Sequence, residues 1–164
     1  MNLYVACEDE DGYYRDGCVW DREIDTYDAM TVEVKYENDV IMSYALNAFM
    51  PYEGQQIAFN GEKGRLEVRN YQRQPWEVDV ASELRLTKSF QGTRTWTIEK
   101  KKGEHGGADM KLKDILFVPG HPDPLNKKAD SKAGVMASLI GIGARESIQS
   151  GKRVKIKDLI VLPN

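Results

Sequence analysis

The chain has 164 residues, 30% of them charged and 41% hydrophobic, with a formal net charge of −3. That balance and length fit one soluble globular domain burying roughly 70% of its unfolded surface; no apolar run approaches the roughly 20 residues of a membrane helix. Net acidity argues against a nucleic-acid binder, and Cys7 and Cys18 are too few for a disulfide scaffold or a structural zinc site. Residues 1–30 carry nine acids against Arg15 and Arg22, a net −7, and Gly12 and Gly17 break the segment. It reads as an acidic, loop-rich lead-in to the domain that follows. The start, Met1–Tyr4, has neither the basic flank nor the apolar stretch of a secretory signal, and two cysteines are compatible with a reducing cytoplasm.

From Thr31 the pattern has period two. Val32, Val34 and Tyr36 share one face of Thr31–Tyr36, and Glu33 and Lys35 the other. Glu37-Asn38-Asp39 is turn chemistry, so Thr31–Tyr36 and Val40–Phe49 form a hairpin. Further strands are expected at Gln55–Asn60, Arg65–Tyr71, Trp76–Val80, Glu83–Lys88 and Thr93–Lys100. Their short connections favour antiparallel neighbours, since parallel pairs need long crossovers. After Lys102 the spacing becomes helical. Ala108–Val118 reads as a short helix before Pro119, and Pro119–Lys128 as a proline-rich loop. A second helix runs from a cap at Asp130 or Ser131 to Ser150, with Gly151 as its stop. Its expected core face is Val135, Leu139, Ile142 and Ile148. Val154–Leu162 reads as a last strand or extended segment.

Strands followed by helices make an α+β fold, a large mostly antiparallel sheet with helices packed on one face. Val40–Phe49 is apolar on both sides, with Met42, Tyr44 and Leu46 on one and Ile41, Ala45 and Phe49 on the other. An apolar sheet face on a lone domain marks an interface, so the other face is expected to serve oligomerisation.

Several motifs carry chemistry on paper. Glu8–Gly12 resembles part of a calcium loop, but Cys7 and Cys18 occupy its first and twelfth ligand positions. Gly141-Ile142-Gly143-Ala144-Arg145-Glu146 resembles the start of a dinucleotide fingerprint, yet no strand precedes it and a mid-helix position has no free backbone N–H groups. Close packing along Gly134, Ala137, Gly141 and Ala144 is the plainer account. His105-Gly106-Gly107-Ala108-Asp109 places an imidazole and a carboxylate on either side of a glycine pair that opens a helix. Both could face a cleft that takes a polar or anionic group; alternatively Asp109 caps the helix and His105 is a loop residue. His121-Pro122-Asp123-Pro124 lies in the proline loop and reads as surface, and with His105 and Asp109 it matches no metal-ligand spacing. Trp20-Asp21 and Tyr52-Glu53 join an aromatic to an acid, which suits a hydroxylated ligand and a satisfied turn equally well.

Together, Thr31–Val68, the Gly61-Glu62-Lys63-Gly64-Arg65-Leu66-Glu67 hairpin, His105–Asp109 and Ala137–Val154 resemble the C-terminal domain of Gfo/Idh/MocA oxidoreductases. These are the relatives of glucose–fructose oxidoreductase and inositol 2-dehydrogenase. Cys18–Asp25 resembles a subgroup acting on sugar-like substrates. The resemblance implies the substrate-side and oligomerisation domain of an NAD(P)-dependent enzyme acting on a sugar, inositol or similar polyol, by hydride transfer or, as in some relatives, a redox-neutral cycle. His105, Asp109, Tyr52, Glu53, Trp20 and Asp21 are the expected substrate contacts. The family's Rossmann domain, its Glu-Lys-Pro lysine and its Asp-x-x-x-His pair find no counterpart here, and Glu62-Lys63 falls in a hairpin turn. No cofactor is therefore expected in this chain, and NAD(P) is expected on a Rossmann half supplied in cis or in trans. On that reading Met1 marks a boundary in a longer protein, a split gene or a misassigned start, and the chain alone is inactive. The alternative is a stand-alone dimeric module that binds a carbohydrate or another protein without catalysis.

Overall fold

A computed structural model describes residues 4–15 and 17–160. Met1–Leu3, Asp16 and 161–164 lie outside it, and with them the extreme N-terminus and the last two residues of the expected Val154–Leu162 strand. The chain groups into two compact units, residues 1–49 and 50–164.

In the first unit, a short turn at Val5–Cys7 leads into the one-turn helix α1 (Glu8–Asp11), closed by Gly12 in the left-handed conformation. The stretch that resembles a calcium loop is thus a helical turn. The hairpin follows as β1 (Ala29–Lys35) and β2 (Ile41–Asn47). Its register pairs Met30 with Leu46, Val32 with Tyr44 and Val34 with Met42, so one face is wholly apolar. The opposite face differs from the expected one. Ile41 lies across from Lys35, Ser43 from Glu33 and Ala45 from Thr31. Pairing with β1 gives that side a polar character that the β2 sequence alone does not show.

The second unit opens with an antiparallel meander, β3 (Glu53–Gly61), β4 (Gly64–Arg73), β5 (Val80–Lys88) and β6 (Gly92–Glu99), hydrogen-bonded in chain order. The antiparallel α+β expectation holds, with two sheets of two and four strands in place of a single large one. Trp76–Val80 is not a separate strand, because only Val80 joins β5 and the residues before it form an irregular connection after Pro75.

Register divides the four-stranded sheet cleanly. One row contains Ile57, Val68, Leu84 and Trp96; the next contains Phe59, Leu66, Leu86 and Arg94, and Ile98 stands opposite Ser82 on the same side. Facing the other way are Asn60, Arg65, Thr87 and Thr93, then Ala58, Glu67, Arg85 and Thr95, then Gln56, Arg69, Glu83 and Thr97. The polar side satisfies itself locally: Arg65 bonds Asn60 at 2.6 Å and Glu67 at 3.1 Å, and the Tyr71 hydroxyl donates to Glu83 at 3.0 Å. Partial desolvation and that bond to Glu83 raise the pKa of Tyr71 above its ordinary value. On the apolar side Ile57, Phe59, Trp96 and Ile98 remain exposed. An open concavity of about 770 Å³ bounded by Phe59, Leu66, Leu86 and Phe90 marks one end of it.

The helices follow the sheet. α2 (Ala108–Phe117) is short; α3 (Ser131–Ser150) begins with the Asp130 carboxylate accepting the Ala133 N–H at 2.7 Å and ends at left-handed Gly151. The inward stripe of α3 is Val135, Leu139, Gly143 and Ser147, with Leu139 and Gly143 buried. Ile142 and Ile148, expected in that face, are exposed. The small residues Gly134 and Gly141 face open space, whereas a Cβ on Gly143 would meet Ile156 Cδ1 at 2.9 Å and Leu159 Cδ1 at 3.6 Å. Close packing therefore occurs at Gly143. Its partner is the C-terminal segment, where Ile156–Asp158 forms a single helical turn in place of the expected strand. No helix among the described residues is long and apolar enough to cross a membrane.

Candidate functional site

His105 and Asp109 form the one singled-out pair that the structure brings into direct contact. The backbone reverses through three consecutive left-handed residues, His105 (φ 47°), Gly106 (φ 65°) and Gly107 (φ 78°), before α2 starts. Glycine adopts this conformation without strain. At His105 it costs about 1 kcal/mol or more, which the surrounding contacts must offset. The turn swings the imidazole back over the first helical turn, where Nδ1 lies 3.0 Å from Asp109 Oδ1 and 2.9 Å from Oδ2. Asp109 makes no helix cap; the N-cap position is Gly107 and has no side chain to offer. The capping alternative is thereby set aside.

Chemically, a carboxylate beside Nδ1 favours the tautomer with the proton on that nitrogen, which leaves the lone pair on Nε2. That is the orientation of a base held by a carboxylate, and the N-terminal dipole of α2 lies beside it. The site is open, with the His105 side chain 81% exposed and that of Asp109 34%. Neither residue lines the concavity on the sheet or the smaller one of about 280 Å³ bounded by Phe117, His121, Asp123 and Lys128.

The remaining candidates are dispersed. His121 is exposed. Asp123 holds its own loop: the backbone N–H groups of Lys127 and Lys128 keep its carboxyl below the usual carboxylate range, and the Lys128 N–H donates to Oδ2 at 2.9 Å. Among the described residues no group of three or more His, Cys, Asp or Glu could hold a metal ion. In the first unit the Trp20 ring stacks on Phe49 with centroids 4.6 Å apart, and Asp21 Oδ1 accepts the Glu23 N–H at 3.2 Å. In the second, Tyr52 meets Trp76 edge-on and Glu53 opens β3. Trp76 was readable from sequence only as a strand residue; the signal that places it in a loop is Pro75 immediately before it.

The glycine pair of the dinucleotide-like stretch lies inside α3, where Gly143 is filled against Ile156. Its backbone N–H groups are committed to the helix, so these residues do not fit a pyrophosphate site.

Comparison with known proteins finds similarity to a Bacillus subtilis (strain 168) protein named "Putative oxidoreductase YteT", at 31% identity over 169 aligned positions. The alignment takes in 99% of this chain and 37% of that protein. The chain thus spans a little over a third of the length of the relative it matches. No family model matches the chain, and no solved structure matches it.

Proposed function

We propose that this chain is the substrate-side and oligomerisation domain of an NAD(P)-dependent oxidoreductase of the Gfo/Idh/MocA type, acting on a sugar, inositol or similar polyol. The observation that carries the reading is the alignment itself: nearly the whole chain matches, and it matches only 37% of a protein named as an oxidoreductase. The geometry agrees in two respects. The His105–Asp109 pair holds an imidazole against a carboxylate at a solvent-open helix start, polar chemistry that suits a polyol hydroxyl. The four-stranded sheet leaves Ile57, Phe59, Trp96 and Ile98 exposed on one face, which suits coverage by the remainder of the protein or by a second copy.

On this reading the His105 imidazole contacts a substrate hydroxyl, and Asp109 orients the ring. The dinucleotide would bind a Rossmann half in cis or in trans and supply the hydride acceptor. The chain alone should therefore produce no reduced nicotinamide with any sugar or polyol and either NAD or NADP, while still binding the sugar weakly. Reduced-nicotinamide absorbance and isothermal calorimetry read the two quantities, and His105→Ala should abolish the heat of sugar binding. Turnover by the isolated chain would refute the division of labour. Sugar binding that His105→Ala leaves intact would remove His105 from the site.

A further inference from the structure

The connection between β4 and β5 carries a second feature that points to a ligand. Trp76 follows Pro75 in this connection and is 45% exposed. Two restraints nevertheless fix its position. The Tyr52 ring meets it edge-on, with centroids 5.3 Å apart and planes at 65°, the arrangement that aromatic quadrupoles favour. One residue before Pro75, the Gln74 side chain donates from Nε2 to the Glu53 backbone carbonyl at 3.2 Å and ties the connection to the start of β3.

The start of β3 is itself built to an unusual plan. Its register with β4 shifts between Glu53 and Gly54, where Gln72 of β4 is the extra, unpaired residue, an irregularity that bends β4 at the end that leads into the Trp76 connection. Only glycine fits the next position, because a Cβ on Gly54 would lie 2.5 Å from the Asn70 carbonyl oxygen. Arg73 stands opposite Glu53 in the ladder, and no ion pair joins them among the described residues. A carboxylate and a guanidinium thus stand opposite one another in the ladder next to Tyr52 in sequence, and the larger ring of the aromatic pair is held in place yet open to solvent.

We propose that Tyr52, Glu53 and Trp76 form a stacking subsite in which the exposed indole of Trp76 receives the apolar C–H face of a pyranose ring. Tyr52 fixes the tilt of the platform, and Glu53 accepts ring hydroxyls at its rim. The inference rests on the sugar-substrate reading above and adds Trp76 to the residues that contact the ligand. It requires nothing of the first unit, where Trp20 already has one face stacked on Phe49.

The test uses the full chain labelled with nitrogen-15, in which Trp20, Trp76 and Trp96 give separate indole N–H resonances assigned by Trp→Phe substitution. Methyl glycosides of common pyranoses are titrated, with calorimetry in parallel. The expected result is a saturable shift of the Trp76 indole, Trp76→Ala weakening binding roughly ten-fold and Trp76→Phe by less. Tyr52→Leu, which leaves the indole in place, should weaken binding and broaden the Trp76 signal. A sugar that binds while the Trp76 indole stays fixed and Trp76→Ala or Trp76→Phe binds normally overturns the subsite and leaves the sugar reading standing on His105. No heat and no indole shift with any glycoside overturns the sugar reading itself, and the subsite with it.

Discussion

The two glycines of α3 that resemble a dinucleotide motif should respond oppositely to an added methyl group. At Gly141 a Cβ meets nothing within 4 Å. The substitution Gly141→Ala then acts through helix propensity alone, a gain of about 0.8–1.0 kcal/mol in a helix interior. For a domain of this length that raises the melting temperature by about 2–4 °C. At Gly143 the propensity gain is the same, but the new Cβ lies 2.9 Å from Ile156 Cδ1, 3.6 Å from Leu159 Cδ1 and 3.9 Å from Val154 Cγ1. Ile156 Cδ1 is the far end of a flexible side chain and can retreat by a few tenths of an ångström, at an off-rotamer cost of about 0.5–1.5 kcal/mol. Gly143→Ala should therefore come out near zero. Gly143→Val adds a branched side chain to the same space and should lose about 1–3 kcal/mol. Thermal melts followed by circular dichroism at the helix band order the three variants as Gly141→Ala, Gly143→Ala, Gly143→Val, from most to least stable. A destabilised Gly141→Ala would mean that another backbone approaches α3 at Gly141, and a neutral Gly143→Val that the C-terminal turn does not pack there. Either result refutes the assignment of the close contact to Gly143.

Asp130→Ala removes the side-chain acceptor of the Ala133 N–H and should cost about 1 kcal/mol, read in the same melts, with Asp130→Ser recovering most of it. The lowered pKa of Asp123 makes its loop acid-sensitive in a defined direction: its stabilisation is complete above the ordinary carboxylate value of about 3.9 and is lost as pH falls through the lowered folded value. The protection factors of the Lys127 and Lys128 amides, corrected for intrinsic exchange, should fall across that window, and Asp123→Asn should make them independent of pH there. Asp109→Asn breaks an exposed pair and should change stability by less than about 1 kcal/mol, while weakening sugar binding as strongly as His105→Ala; a large loss of stability would make the pair structural. On the proposed oligomerisation reading the chain should associate with concentration in sedimentation velocity and Leu86→Glu, placed in the apolar row beside Phe59 and Leu66, should abolish it; no association, or association that the substitution leaves unchanged, would remove the sheet face from that role.

What was legible followed from local rules. The β3–β4 turn announces itself in Gly61-Glu62-Lys63-Gly64, and a cap at Asp130 or Ser131 and the stop at Gly151 bracket α3 to within one residue. Period-two spacing found β1, β2, β3, β4, β5 and β6 to within a few residues. Less legible was anything that depends on a neighbour. Ile41 and Ala45 look like a second apolar face until β1 supplies Lys35 and Thr31 across from them. Gly134 and Gly141 looked like contact points because small residues permit close approach, but permission does not supply a partner, and the C-terminal turn chose Gly143. His105–Asp109 was visible as a motif, whereas the left-handed reversal that joins the two side chains depends on three consecutive φ values that residue types only allow. Trp76 lies apart in sequence from Tyr52, and only the folded connection between β4 and β5 makes them neighbours.

The apolar alternation of the four-stranded sheet, by contrast, is written plainly in Ile57/Phe59, Leu66/Val68, Leu84/Leu86 and Trp96/Ile98, and it bears most directly on what the domain needs. Two rows across four strands, one of them ending at Arg94, cover roughly 260 Å² from standard strand spacings. At about 25 cal/mol per Å² that surface is worth about 6 kcal/mol when covered, an upper bound because association and ordering oppose it. The figure is comparable to the whole stability of an ordinary domain, about 5–15 kcal/mol. Covering this face is therefore not a refinement of an already secure fold. On the proposed reading, a partner that covers it would supply stability on the scale of folding itself. In that case folding and assembly of this domain would be thermodynamically linked, so a substitution on the apolar rows should lower stability and association together, while one at the exposed His105 should alter neither.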